Sequence, residues 1–166
     1  MIGDRWGVTD DEVALHYPCD DIVAVPVLQA WRGVTVHCAP IELWPWVAQI
    51  RLAPYSYDWI DNLGRRSPQR LRDLPEPVIG QHFTTAATRP AGRILSVTPR
   101  VQLTAQIMGA VMSYVLVPDG ETTRLLMKIV TPGARWLAPL LSVGDLVMAR
   151  RQLLNLKELA EGARGQ

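Results

Sequence analysis

A chain of 166 residues, 48% of them hydrophobic and 20% charged, can bury one ordinary core, so a single domain over residues 1–166 is expected. Its formal net charge of +1 supplies no general attraction to nucleic acid or to an anionic membrane. Cys19 and Cys38 are the only cysteines. They are far from each other in sequence and form no paired ligand spacing with the three histidines, so neither a disulfide framework nor a zinc or other cofactor motif is signalled.

In chain order, "MIGDRWGVTDDE" lacks a basic-then-apolar leader, and runs such as "IVAV" are far too short to span a membrane. A cytoplasmic setting is the expectation. Thr9 with Glu12 forms a capping box that opens a short helix, closed at Tyr17 because Pro18 disfavours helix before it. Residues 1–25 thus read as an extension whose short helix packs on the domain. Leu28 to Cys38, rich in Val, Thr and Trp, predicts a strand with a bulge at Gly33. Pro40 opens a helix that Pro45 should kink or restart. In "PYSYDWIDNLG", Ser56 is a good N-cap, Asp58 suits the first turn and Gly64 a C-terminal stop, which predicts a second short helix.

Leu71 to Pro90 is loop-like, with an edge strand around Val78 to Thr85. Strands follow at Ile94–Val97, Val101–Ile107, Ala110–Val117 and Thr122–Val130, the last two joined by a hairpin at Asp119-Gly120. A two-residue turn there sets Tyr114 opposite Leu125, Met112 opposite Met127 and Leu116 opposite Thr123. Met112, Tyr114, Leu116, Leu125, Met127 and Ile129 then share one face, with Ser113, Arg124 and Lys128 on the other. From about Ser142 to Gly162 runs the longest helix, whose apolar arc includes Leu146, Ala149, Leu153, Leu154 and Leu156. Arg150 and Lys157 fall inside that arc.

The blocks "RWGVTDDEVALHYPCDDI", "RGVTVHCAPIELWPWVAQI", "YSYDWIDNLG", "TRLLMKI" and "RRQLLNLKELAE" resemble, in order, the SRPBCC or START-like superfamily of bacterial polyketide cyclase/dehydrase and lipid-transport-like proteins. The resemblance implies an α+β helix-grip fold. A curved antiparallel sheet wraps a long C-terminal helix, and two short helices close one end. It implies a cavity lined by Trp46, Trp59, Leu63, Leu103, Met112, Tyr114, Leu125, Met127, Leu146, Arg150 and Leu154.

Arg150 is open to two readings: its stem covers apolar surface while its head reaches water or a carboxylate, or it binds an acidic group of a ligand. Tyr114 is either a satisfied core tyrosine or a hydroxyl that orients a ligand or donates a proton. Three functions compete. The first is binding of an apolar or amphipathic small molecule such as a lipid, polyketide or aromatic metabolite, and the second is a cyclase or dehydratase acting on one. In the third, Val111, Val115, Val117 and Leu126 make the outer sheet face an interaction or homodimer surface.

Overall fold

The computed structural model describes residues 4–56, 63, 66–132 and 138–163, the last stretch with its side chains from residue 147 onward. Its elements are β1 (Arg5–Trp6), α1 (Asp10–Ala14), α2 (Pro18–Ile22), β2 (Leu28–Val36), α3 (Pro40–Ala48), β3 (Thr84–Ala86), β4 (Arg89–Ala91), β5 (Arg93–Thr98), β6 (Gln102–Ile107), β7 (Ala110–Asp119), β8 (Thr122–Thr131) and α4 (Ala138–Ala163). Six strands form one curved sheet in the order β1-β2-β8-β7-β6-β5. All neighbours are antiparallel except β1 and β2. The pair β3–β4 stands apart. With α4 against the sheet's inner face, this is a helix-grip fold. No described helix is long and apolar enough to cross a membrane.

Local signals explain most element starts. Thr9 Oγ1 accepts from the Glu12 N–H, and the Glu12 carboxylate accepts from the Thr9 N–H, so two donors at the start of α1 are satisfied reciprocally. The chain leaves the helix at Ala14, three residues before the predicted stop, and restarts at Pro18 as α2. Pro45 sits inside α3 without ending it, and a 3-10 turn at Gln49–Arg51 follows directly. Burial of Leu43, Trp44, Trp46 and Val47 against the core compensates the lost hydrogen bond. The expected helix over residues 56–64 lies largely outside the described residues.

Two strand expectations are corrected. Residues 78–83 form no strand: β3 begins at Thr84, and before it Gly80, Gln81 and Phe83 make isolated backbone hydrogen bonds to Ile94 and Ala91. Gly33 is not a bulge, since β2 pairs with β8 residue for residue from Leu28 to Val36. It is required for another reason. Gly7 crosses it at a φ of +68°, and a Cβ on Gly33 would lie 2.9 Å from Val8 Cγ1 and 3.0 Å from the Gly7 carbonyl oxygen.

The β7–β8 hairpin turns at Gly120-Glu121, one residue later than predicted, so Tyr114 pairs with Met127, Met112 with Ile129 and Leu116 with Leu125. Moving the turn by one residue moves each partner by two. The side-chain period is also two, and so the predicted apolar face survives the error.

The outer sheet face is covered by the chain itself. Val111, Leu126 and Val130 form a second core with Tyr17, Cys19 and Val23 of the α2 region, while Val115 and Val117 pack against it. Ser113 Oγ accepts from the Cys19 N–H at 2.9 Å. Arg124 clamps Glu12 through two hydrogen bonds of 2.7 and 2.9 Å and also donates to the Gly7 carbonyl. Lys128, 5% exposed, meets Asp20 and lies over the rings of Tyr17 and Trp31. The apolar outer face expected to await a partner is therefore occupied from within. Cys19 and Cys38 are both buried, and no disulfide joins them.

At the far end of α4, Glu161 accepts from Lys157 and from the backbone N–H of His37, and pairs with the His37 ring. Burial alone would raise its carboxyl, but these hydrogen bonds bring it down to about 2. The Arg124 hydrogen bond likewise holds the Glu12 carboxyl below its ordinary value. Because both folded-state pKa values are depressed, their stabilisation is complete above the ordinary carboxylate pKa of about 4.3 and is lost as pH falls through the folded values. Denaturant titrations at stepped pH should show stability falling from about pH 4.5 toward 2. Glu161→Gln should flatten that slope, and an unchanged slope would refute the assignment.

Candidate functional site

Alternation along β7 and β8 places Ala110, Met112, Tyr114, Met127 and Ile129 on the inner face, and α4 crosses them with Met148, Ala149 and Gln152. Between sheet and helix lies a cavity of about 250 Å³. Phe83, Thr84 and Ala86 of the β3–β4 region, Ile107 and Met108 at the β6–β7 turn, and Pro54 and Ser56 complete its described lining. Met108 is 92% exposed, so it marks the mouth.

The polar pair at the wall is Tyr114 and Gln152. The Tyr114 hydroxyl donates to Gln152 Oε1 at 2.5 Å and also lies 3.4 Å from Met112 Sδ. Gln152 Nε2 donates to the Pro54 carbonyl. A carbonyl oxygen can only accept, so the amide orientation is determined, and with it the direction in which Tyr114 must donate. Burial pushes the Tyr114 hydroxyl pKa up strongly, although the Gln152 hydrogen bond works against this. The phenol stays neutral. Its ring lies 6.0 Å from that of Phe83, tilted by 34°. One turn along α4, Asn155 donates to the carbonyls of Tyr55 and Ser56, so two amides of one helix hold the loop at the cavity wall. Tyr114→Phe leaves the buried Gln152 Oε1 without its donor and should cost about 1–3 kcal/mol in denaturant unfolding. A loss below a few tenths would show that the amide finds another partner.

The residues predicted to line a cavity separate into groups. Met112, Tyr114 and Met127 do line it. Trp46, Leu103 and Leu125 are 2%, 1% and 0% exposed and belong to the solid core, and Leu154 packs on that core half-buried. Leu63 is 74% exposed and is not in the described lining, which corrects its assignment. Arg150 is corrected as well. It is exposed with its guanidinium 4.6 Å from the Trp6 ring centroid in cation–π contact, so of its two readings the outward one holds, and it is not in the described cavity lining. Trp59 and the side chain of Leu146 lie outside the described residues.

Sequence reasoning missed Phe83, Met148 and Gln152. Gln152 had a legible signal: three residues after Ala149 and four before Leu156, it is a polar residue inside the apolar arc of α4. A second signal was composition. The chain has five methionines, and all four after Met1 line the cavity.

No protein-family model matches the chain, and no curated protein matches its sequence. Solved structures do match in shape. The KanY protein superposes with a TM-score of 0.54 at 13% identity, covering 81% of this chain and 98% of that one. A protein from Nitrosospira multiformis gives 0.53 at 10% identity, with 82% and 99% covered. Protein NE0264 from Nitrosomonas europaea gives 0.51 at 15%, with 84% and 98% covered. At such identities the likeness is one of fold alone, the helix-grip architecture.

Proposed function

We propose that the protein encloses an apolar or amphipathic small molecule between its sheet and α4. The observation that carries this reading is the cavity itself, about 250 Å³ and walled by four thioethers, two aromatic rings and aliphatic groups. Methionine is unbranched and polarisable, so such a wall adapts to ligand shape while keeping apolar contact. The volume, about 250 Å³, lies just below the range of about 300–1,000 Å³ for small-molecule sites. It suits a compact metabolite better than a two-tailed lipid. A holding role fits the polar wall better than acid–base chemistry does, because the Tyr114 proton is committed to Gln152 and burial makes its release harder.

Native mass spectrometry of the purified protein should reveal a bound small molecule as an added mass released on denaturation. Ala149→Phe projects a ring into the cavity from α4 and should abolish that mass while costing about 1–3 kcal/mol for overpacking. Circular dichroism checks that the variant is folded. A folded Ala149→Phe protein that retains the ligand would refute the site.

A further inference from the structure

The polar pair at the cavity wall has hydrogen-bonding capacity left over, and its arrangement determines of what kind. Gln152 Nε2 carries two hydrogens and gives one to the Pro54 carbonyl, while Oε1 receives the Tyr114 proton. Among the described residues nothing donates to the Tyr114 oxygen. The pair therefore offers one acceptor, Tyr114 Oη, and one donor, the second Nε2–H, on either side of a single amide group. A hydroxyl group satisfies both at once, since it donates to the first and accepts from the second. An ether or a ketone oxygen can use only the donor. A carboxylate also cannot donate, and it would lie in the apolar surroundings that push the Tyr114 ionisation upward.

We infer that Tyr114 and Gln152 form a recognition site for the hydroxyl group of an uncharged, otherwise apolar alcohol or phenol held against the methionine-lined wall. This rests on the cavity reading above and narrows it from apolar ligands in general to neutral hydroxylated ones. Tyr114 and Gln152 then set specificity, while the thioethers supply adaptable contact to the remaining surface.

A matched probe series separates the two readings. Binding of 2-naphthol, 2-methoxynaphthalene, naphthalene and 2-naphthoate to the full chain would be followed at pH 7 by calorimetry. The expected result is 2-naphthol at least tenfold tighter than either 2-methoxynaphthalene or 2-naphthoate. That advantage over the methoxy compound should vanish in Gln152→Leu and shrink in Tyr114→Phe, the milder variant if the first fails to fold. Equal affinity for 2-naphthol and 2-methoxynaphthalene, with naphthalene still bound, would overturn the hydroxyl site and leave the apolar cavity standing. Tightest binding of 2-naphthoate would overturn it in favour of an anion site. If none of the four binds, while a dye control detects no cavity either, the cavity reading fails and the hydroxyl site with it.

Discussion

Asp20→Ala is expected to destabilise the protein by about 3 kcal/mol, the lower end of the range for removing one partner of a buried pair. Lys128 is almost fully enclosed on the outer sheet face, and its ammonium meets the Asp20 carboxylate between the rings of Tyr17 and Trp31. Without Asp20 that charge stays buried with only ring faces to balance it. Asp20 also accepts the Tyr17 N–H at the start of α2, so the same substitution unties the helix. Its side chain is 23% exposed, and water entering there is why the lower end of the range applies. The double variant Asp20→Ala/Lys128→Met should recover much of the loss, because a thioether needs no counter-charge on an apolar face. Denaturant unfolding of both variants decides the matter. A single-variant loss under 1 kcal/mol, or a double variant no better than the single, would show that the pair does not hold the N-terminal segment down.

The second large effect is expected at Trp46, whose side chain is 2% exposed in the main core beneath α3. Trp46→Ala should cost about 3–5 kcal/mol through lost burial and an incompletely collapsed void. Ligand affinity should not follow, because Trp46 is not in the described lining of the cavity. The milder Trp46→Phe keeps the protein folded for that measurement and should bind a cavity probe within about twofold of wild type. A tenfold loss of affinity in Trp46→Phe would return the residue to the cavity wall where the sequence reading had it.

Much of the fold was legible because the signals are local. The Thr9–Glu12 capping box, the period-two apolar face of β7 and β8, and the broad apolar arc of α4 each depend on residues close in sequence. The hairpin shows why such readings tolerate error. A misplaced turn altered every cross-strand partner and no face, so the cavity-facing set Met112, Tyr114, Met127 and Ile129 was still found. Where two non-local surfaces compete, the same signals fail. Val111 and Leu126 read as exposed and apolar because nothing in their own strands reveals that Tyr17, Cys19 and Val23 cover them from about a hundred residues away.

The cavity was divided in the same way. Its sheet wall follows from alternation, which is a property of each strand alone. Arg150 lies within an arc calculated for one isolated helix, and only Trp6 on β1, brought alongside by the sheet, draws its guanidinium outward. Gln152 is the converse case: a polar residue in an apolar arc gains its role from Tyr114 on the sheet and Pro54 on the opposite loop. The sequence by itself determined which residues lie on apolar faces, because burial periodicity is written along the backbone. Only the tertiary structure decided which of those faces close into solid core, which are covered by the N-terminal segment and which leave room for a ligand, because each outcome depends on the shape and charge of a surface distant in the chain.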